Sequence, residues 1–452
     1  MSRRIDSGQD GGREMKGRLV IFLCAVLLAI AGVLHFKPAS GSASPIVTLD
    51  GGAGSSGLVY ITLPHFQTSR ANTGVAVHEI VNMRLLDAAR DVGFSFVRTD
   101  LFWDAVQKDG KFDFGDFDAL VSALAARGMG ALFILEGSHS IYSPGHPPQT
   151  ELELAAFYRY VYRTVAHYRN ANVRFEVWNE QDAKDFWGAE PSPSAYRNVL
   201  KTAVTAAKAA NPEVQIASGG VQQIDRDFIL SVGDIVGVNQ RGPDAVGVHP
   251  YRQDYPETAF KDYRLLREDL ARYRAVPDIW ATEWSYPTYE YAYVSDIHDG
   301  HSPKARELQA KYVVRLFLVN WISQIGLTSY YDMRDDGSDP FDREHNFGLM
   351  DHDYGELPVY VATKHLFAFT SDVTRAQYFI DESNRYVVLK LSAPGVTRYV
   401  IWCYGDGNNI RLDTSHFPKS AIFSDMYGNK RPGSGVQSIP ESMGPVFVSV
   451  RT

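Results

Sequence analysis

Short apolar runs alternate with amphipathic helical stretches along most of this 452-residue chain, and this rhythm is the strongest constraint on its fold. The runs are continuously apolar rather than alternating, which is typical of parallel strands covered by helices on both faces. We identify eight strand candidates, at residues 58–63, 96–100, 131–135, 173–178, 214–218, 245–249, 279–283 and 327–331. Eight strand–helix units predict an α/β fold, a (β/α)8 TIM barrel over residues 57–370.

A doubly wound sheet is the main alternative to a barrel. No glycine-rich phosphate loop follows any of the predicted strands. Polar residues whose side chains can take part in catalysis recur at strand ends all along the chain. In a barrel those ends converge on one mouth. The sequence therefore favours the barrel.

The pattern changes after residue 370. Short alternating strands, such as 386–391 and 398–402, are separated by turn sequences that include Gly405-Asp406-Gly407, and no helical pattern appears. We predict a small C-terminal β-sandwich domain over residues 371–452.

The N-terminal region has three parts. Residues 1–18 are basic, residues 19–36 are apolar, and residues 37–56 are rich in Gly, Ser, Ala and Pro. Basic residues before an apolar run predict a body outside the cytoplasm. We favour an uncleaved transmembrane anchor at the periplasmic side of the inner membrane over a cleaved secretion signal, followed by a flexible linker in which residues 46–49 can form an extra strand.

Charge and cysteine content exclude several classes of protein. A formal net charge of −8 argues against a nucleic-acid partner, which requires a basic surface. Of the two cysteines, Cys24 lies in the apolar run, so a disulfide in the main body is not expected. No Cys/His spacing typical of a metal site is present, and we expect no metal and no cofactor.

Two glutamates end two of the predicted strands. Glu180 closes the sequence Trp178-Asn179-Glu180, and Glu283 lies in Thr282-Glu283-Trp284. A charged residue at the end of a buried strand is costly unless it is paired or functional. Two such carboxyl groups are what acid/base cleavage of a glycosidic bond requires, one to protonate the leaving oxygen and one to attack the sugar.

These two motifs resemble the acid/base and nucleophile motifs of clan A retaining glycoside hydrolases. The run Phe96-Val-Arg-Thr-Asp-Leu-Phe-Trp103 and the small C-terminal β-domain are similar to family 39 of that clan. Within the family, membrane-proximal enzymes that cut biofilm exopolysaccharides are the most similar in overall organisation. The resemblance implies Glu180 as general acid/base and Glu283 as nucleophile.

Other residues follow from the same resemblance and from charge. Arg98, at the end of the second strand, is the cation expected to keep Glu283 ionised, with an ordinary ion pair as the alternative. Asn179 is expected to donate to the sugar 2-hydroxyl, with a cap at the end of the strand as the alternative. His249 and Tyr251, after the sixth strand, are expected to orient the nucleophile and line the subsite, with Tyr251 donating its hydroxyl to Glu283; both can equally be packed structural residues.

Substrate subsites are expected to begin after the second and third strands. Trp103, Glu136 and His139 lie there, and Glu136 is either an acceptor for a sugar hydroxyl or part of a rim ion pair. Tyr286 belongs to a tyrosine-rich loop that either stacks on sugars or packs on itself. Many clan A enzymes have a tryptophan at the end of strand eight, and this chain has Tyr331, which we expect to replace it.

The sequence thus predicts a retaining glycosidase, endo-acting on an exopolysaccharide of the cell envelope or biofilm. An exo-acting β-glycosidase with the same catalytic pair is the first alternative. A non-catalytic polysaccharide-binding protein is the second. The expected partners are the polysaccharide, the inner membrane and the polysaccharide synthesis machinery, and no nucleic acid.

Overall fold

The computed structural model describes residues 44–49, 58–108, 110–235, 242–415, 417–433 and 435–451. The basic segment, the apolar segment predicted to be an anchor or signal, and most of the linker lie outside these residues. Within the part of the chain that is described, no helix has both the length and the apolar character needed to cross a membrane.

Strands run through the whole described chain, and its last α-helix ends at Phe369. The strands are β1 Ile46–Thr48, β2 Ile61–Thr62, β3 Thr73–Ala76, β4 Phe96–Phe102, β5 Gln107–Lys108, β6 Lys111–Phe112, β7 Gly130–Glu136, β8 Val173–Asn179, β9 Ile216–Gln222, β10 Ala245–His249, β11 Asp278–Ala281, β12 Leu327–Tyr330, β13 Arg375–Asp381, β14 Tyr386–Ala393, β15 Val396–Cys403, β16 Asn409–Asp413, β17 Ile422–Ser424, β18 Lys430–Arg431, β19 Val436–Pro440 and β20 Val446–Arg451. The α-helices are α1 Phe66–Ala71, α2 Met83–Val92, α3 Trp103–Val106, α4 Gly115–Ala125, α5 Glu151–His167, α6 Lys184–Trp187, α7 Pro193–Ala210, α8 Arg226–Val232, α9 Ala259–Leu270, α10 Pro303–Ile322 and α11 Pro358–Phe369.

Eight parallel strands close into a barrel in the order β3, β4, β7, β8, β9, β10, β11, β12, with β12 paired to β3. Helices connect successive strands and cover the barrel. The predicted (β/α)8 barrel is confirmed. All carboxyl ends of the strands therefore open on the same face, which is where Glu180 and Glu283 lie.

Local sequence explains where the long helices begin. The Thr150 side chain accepts from the backbone N–H of Glu153, whose own side chain accepts from the backbone N–H of Thr150, a capping box at the start of α5. Ser192 and Ser302 cap α7 and α10, and each is followed by a proline at the first helical position. These caps satisfy backbone donors that have no partner within the helix.

The prediction for the first barrel strand was wrong. Residues 58–63 do not enter the barrel, because β2 pairs with Gln377 and Tyr378 at the edge of the C-terminal sheet. The first barrel strand is the short segment Thr73–Ala76, in which Gly74 lies so close to the Phe96 ring that an added Cβ would be 2.3 Å from it. A four-residue strand containing glycine has little apolar signal in the sequence.

The C-terminal part is β-structure, and the predicted β-sandwich is confirmed. Seven strands form one sheet in the order β18, β17, β20, β15, β14, β13, β2, and β1, β16 and β19 form a second. The segment anticipated as an extra strand, Ile46–Thr48, pairs in parallel with β16. Val47 and Leu49 are buried in a core that also contains Val388, Ile401 and Ile410.

A buried ionic network joins the barrel to the C-terminal sheet. Arg315 on α10 is fully buried and bonds both carboxylate oxygens of Glu257. The Trp402 indole, on β15, donates to the same carboxylate at 2.6 Å, and Arg315 also reaches Glu441 at 3.0 Å. The carboxylate of Glu257 thus accepts from both parts of the protein.

Candidate active site

Glu180 directly follows β8, and Glu283 lies just beyond the end of β11. Both residues are buried, with 4% and 7% of their surface exposed. One carboxylate oxygen of each and a ring nitrogen of His249 all lie within 4.8 Å of one another. Two carboxyl groups this close match the spacing of about 5–5.5 Å for a retaining pair, not the spacing of about 6.5–9.5 Å for an inverting pair.

The backbone at the end of β8 is strained. Trp178 and Glu180 adopt left-handed conformations with φ of 75° and 47°, which non-glycine residues rarely do. The Trp178 indole donates to the Phe186 carbonyl at 3.1 Å, and the Glu180 N–H donates to the Gly220 carbonyl at 2.9 Å. Strain that is held in place by surrounding contacts is typical of functional sites.

Hydrogen bonds reach both oxygens of the Glu283 carboxylate. Arg98 Nη1 donates to Oε2 at 2.7 Å, and the Tyr251 hydroxyl donates to Oε1 at 2.9 Å. Burial on its own raises the pKa of Glu283, but the charges of His249 and Arg98 and these hydrogen bonds outweigh it. The net pKa lies below the usual value, so the group is held ionised, as expected from the sequence.

Arg98 is the buried hub of the site. Besides Glu283, its guanidinium donates to Glu176 Oε2 at 2.8 Å and to Asn179 Oδ1 at 2.7 Å. Glu176 is fully buried and also accepts from the Gly220 N–H at 2.8 Å and the Thr282 hydroxyl at 2.7 Å. The two carboxylates outweigh the effect of burial and raise the pKa of Arg98, which therefore remains charged.

His249 and Gln222 hold the two oxygens of Glu180. His249 Nδ1 lies 2.9 Å from Oε1, and Gln222 Nε2 donates to Oε2 at 2.9 Å. The sequence led us to expect that His249 orients the nucleophile, whereas its direct hydrogen bond is to the other glutamate. Burial lowers the pKa of His249, but Glu283 and Glu180 outweigh burial, and the net pKa is raised.

A glycine lets the His249 ring reach this position. An added Cβ at Gly220, on β9, would lie 2.1 Å from His249 Nε2 and 2.7 Å from the Thr282 hydroxyl. Only a residue without a side chain fits between β9 and the ring.

Glu180, His249 and Glu283 also have the spacing to hold a metal ion. Arg98 lies 2.7 Å from Glu283 and already compensates its charge. A second cation beside this permanent one would be repelled, so the residues present fit acid/base chemistry better than metal coordination.

Trp103 and His139 do not present a face to solvent, which corrects the expectation that they line a sugar subsite. Both are fully buried. Trp103 donates to Gln107 Oε1 at 2.8 Å and stacks on Tyr142 with ring centroids 5.8 Å apart. His139 Nε2 lies 3.1 Å from the Gln107 carbonyl. The two rings also contact each other, with centroids 4.9 Å apart, and both are packed inside the protein.

Glu136 ends β7 and is nearly buried. Its strongest interaction with another charged group is with the carboxyl group of Asp100, rather than with the cation of a rim ion pair. Burial is the largest cause of the strongly raised pKa of Glu136, followed by the charge and the hydrogen bond of Asp100. The pair can share one proton, and a protonated Glu136 can donate as well as accept a hydrogen bond.

Tyr286 is packed within its own loop, the second of the two alternatives left open by the sequence. It is fully buried, its hydroxyl donates to the Asp254 carbonyl at 2.8 Å, and its ring contacts Tyr293 and Tyr312 at 5.1 Å. An expected role of Tyr286 in sugar stacking is therefore corrected to loop support.

Tyr331 follows β12 and remains partly exposed. Its ring makes edge contacts with Phe347 at 5.2 Å and with His78 at 5.4 Å. Phe347 in turn contacts Tyr251, which bonds Glu283. Two ring contacts thus connect Tyr331 to the residue that bonds Glu283, and its replacement of the tryptophan stays a prediction.

Glu176 and Gln222 are two site residues that sequence reasoning missed. Glu176 has a usable signal, since it is the one charged residue within the apolar run Phe175-Glu176-Val177-Trp178. Gln222 has none, because a glutamine at a strand end is common and its partner lies on the neighbouring strand.

No protein-family model and no curated protein matches this chain. Solved structures do match. A family 39 glycoside hydrolase from Bacteroides cellulosilyticus WH2 superposes with a TM-score of 0.71 and 23% identity, over 85% of this chain and 82% of that chain.

Two further solved structures have the same architecture. A family 39 β-xylosidase from Caulobacter crescentus has a TM-score of 0.61 and 17% identity, over 90% of this chain and 99% of that one. A family 30 endoxylanase from Clostridium papyrosolvens C71 has a TM-score of 0.55 and 11% identity, over 91% and 100%. The chain therefore has the fold of family 39 and family 30 glycoside hydrolases, a (β/α)8 barrel with an attached β-domain.

Proposed function

We propose that this protein is a retaining glycoside hydrolase in which Glu180 is the general acid/base and Glu283 the nucleophile. The observation that carries the proposal is the buried pair of carboxylates with oxygens within 4.8 Å at the mouth of the barrel. The fold of the solved glycoside hydrolases supports it.

The first step is displacement of the leaving group. Glu283 attacks the anomeric carbon, the glycosidic C–O bond breaks, and Glu180 gives its proton to the leaving oxygen. Arg98 and Tyr251 keep Glu283 ionised and oriented before attack. A covalent glycosyl ester on Glu283 results.

The second step releases the sugar. Glu180, now ionised, takes a proton from water, the water oxygen attacks the anomeric carbon, and the ester bond to Glu283 breaks. His249 and Gln222 hold the Glu180 carboxylate in place through both steps. Two displacements at one carbon leave the configuration of the product unchanged.

Asn179 binds the sugar beside the reacting carbon. Its carbonyl oxygen accepts from Arg98 at 2.7 Å, which leaves the NH2 group of the amide to donate to the 2-hydroxyl. A hydrogen bond at that hydroxyl strengthens in the transition state and thereby lowers the barrier.

The substrate class we propose is an exopolysaccharide of the cell envelope or biofilm, cleaved within the chain. The similar folds include an endoxylanase and a β-xylosidase, so both endo and exo action occur on this architecture. The predicted anchor would place the enzyme at the periplasmic side of the inner membrane, beside the machinery that makes the polymer. Exo action is the alternative.

The test is digestion of the exopolysaccharide of the producing organism by the purified protein, with product size followed by chromatography. Substitution of Glu283 by Gln removes the nucleophile and is expected to abolish cleavage. Substitution of Glu180 by Gln removes the transferable proton, and we expect a loss of about 10²–10⁴-fold.

Glu190→Gln is the matched control, because Glu190 lies on the loop after β8, is exposed and pairs only with Lys184 among the described residues. It should retain full activity. Rapid formation of short oligosaccharides supports endo action, and release of single sugars supports exo action. Binding without cleavage, unchanged in both glutamine variants, would contradict the proposal and indicate a polysaccharide-binding protein.

A further inference from the structure

A second group of ligand-type side chains lies at the barrel mouth, on the seam where the first and last strands meet. His78 follows β3, and Asp332 and Asp336 follow β12, the strand that pairs with β3. One ring nitrogen and one oxygen from each carboxylate lie within 4.8 Å of one another. These atoms come from both ends of the barrel sequence and meet only because the barrel closes.

Asp332 is the residue that makes this group unusual. Only 3% of its surface is exposed, and its Oδ1 has no hydrogen-bond partner in the part of the chain that the structure describes. The other oxygen, Oδ2, lies 3.7 Å from His78 Nε2. A buried carboxylate oxygen without a partner is costly, and a bound cation would remove that cost.

Among the described residues, no arginine or lysine forms an ion pair with Asp332. Arg306 is bonded to Asp335 at 3.0 Å, and Arg334 is bonded to Glu79. Arg343 is bonded to Glu344 at 2.9 Å. Within the described residues, the only ion-pair partner of Asp332 is His78. The nearby arginines are thus engaged by other carboxylates.

We propose that His78, Asp332 and Asp336 bind one divalent transition-metal ion. Imidazole and carboxylate ligands lie about 2.0–2.2 Å from Zn²⁺, so two ligand atoms on one ion are at most about 4.4 Å apart. Atoms already within 4.8 Å reach that geometry through small side-chain movements. An imidazole ligand favours Zn²⁺ over Mg²⁺ and Ca²⁺, which prefer oxygen-only sites.

The ion would fasten the loop after β12 to the loop after β3. Tyr331 precedes Asp332, and its hydroxyl lies 3.2 Å from His78 Nε2. The ring of Tyr331 contacts Phe347, which contacts Tyr251 next to the candidate nucleophile. The metal would therefore fix the loops beside Tyr331 at the barrel mouth without contacting Glu180 or Glu283.

The test is calorimetric titration of the chelator-treated full-length protein with zinc chloride, with magnesium and calcium chloride as comparisons. We expect one zinc equivalent per chain and a higher unfolding temperature in its presence. His78→Gln and Asp332→Asn should each weaken zinc binding by more than about tenfold, since even residues that only support metal ligands contribute that much.

His345→Gln is the matched control. Like Asp332 and Asp336, His345 follows β12, and its Nε2 lies 3.8 Å from Asp342 Oδ2. The described residues offer no third metal ligand beside this pair. It should leave zinc binding unchanged. The side chain of His78 is 44% exposed, so the His78 variant is expected to fold. If the Asp332 variant fails to fold, the His78 variant decides the outcome.

Three results would overturn the proposal: no saturable zinc binding, zinc binding unaffected by the His78 variant, or zinc binding lost only in Glu283→Gln. The last result would place the ion at the other three-ligand group, Glu180, His249 and Glu283. Because the readout needs no substrate, the outcome is independent of whether the protein hydrolyses a polysaccharide.

Discussion

Arg98 sets the charge balance of the candidate site. It is buried and bonds two buried carboxylates, Glu176, which has no exposed surface, and Glu283, which is 7% exposed. A buried charge is tolerated only when it is paired and hydrogen-bonded. Through this pairing the structure keeps Glu283 ionised in a low-dielectric setting, where a nucleophilic carboxylate would otherwise take up a proton.

Tyr251→Phe tests this account at a single hydrogen bond. The hydroxyl of Tyr251 contributes to the lowered pKa of Glu283, so its removal raises that pKa. The acid limb of the pH profile of kcat/KM, which reports ionisation of the free enzyme, should therefore shift to higher pH.

Tyr289→Phe is the control for this variant, because the Tyr289 ring contacts exposed Phe341, and the described contacts of Tyr289 include neither glutamate. Its profile should match that of the unaltered protein. An acid limb that does not move in Tyr251→Phe would show that the hydroxyl does not tune the nucleophile.

Some residues of the site were predictable and others were not. The contacts of Arg98 and Tyr251 with Glu283 follow from the rule that parallel strand ends converge, combined with charge and donor type. The burial of Trp103 and His139 was not predictable, because an aromatic residue that follows a strand can either pack in the core or line a sugar subsite. Side-chain packing decides between them, and it depends on residues distant in sequence.

At the scale of elements, a glycine on β9 allows the neighbouring strand β10 to place its last side chain, His249, against β9. The absence of a side chain at Gly220 makes room for His249, and His249 in turn positions Glu180. Strand β9 therefore contributes to the site by leaving room for the His249 ring.

Gly220→Ala is expected to destabilise the protein by about 1–3 kcal/mol, because an added methyl group overpacks a closed site. It should also lower activity by displacing His249. Chemical denaturation measures the first effect. Gly115→Ala is the control, since its added Cβ would approach only the Asp113 side chain, at 3.3 Å. Equal stabilities of the two variants would contradict this packing argument.

Element prediction succeeded where strands are long and apolar, and it failed for the first barrel strand. Residues 58–63 have the stronger apolar pattern, yet β2 lies at the edge of the C-terminal sheet. The segment Thr73–Ala76 is stabilised by its two neighbours, β4 and β12, rather than by its own composition. Tertiary pairing of that kind leaves no mark in a local pattern.

At the scale of the whole molecule, the β-sheets brace the barrel from the side of its longest helix. Arg315, Glu257 and Trp402 form a buried hydrogen-bonded network across this junction. The sequence indicated a separate small domain, but it did not indicate that β1 and β2, from before the barrel, complete the two sheets. Strand pairing between segments that are far apart in the sequence cannot be predicted from local sequence patterns.

Arg315→Met tests the junction. Removing the arginine leaves the carboxylate of Glu257 buried without its cation, and breaking a buried pair in this way costs about 3–5 kcal/mol. Denaturation with urea should show that loss. Arg264→Met is the control, because the Arg264–Glu268 pair is exposed and such pairs contribute at most about 1 kcal/mol. A loss for Arg315→Met no larger than for the control would exclude a bracing role.

The stereochemistry of the first product tests the catalytic assignment most directly. Proton NMR during digestion distinguishes the anomer that is released first from the one formed later by mutarotation. The close spacing of Glu180 and Glu283 predicts a first product with the configuration of the cleaved bond. A first product of the opposite configuration would require water to attack directly, and it would contradict the role of Glu283 as nucleophile.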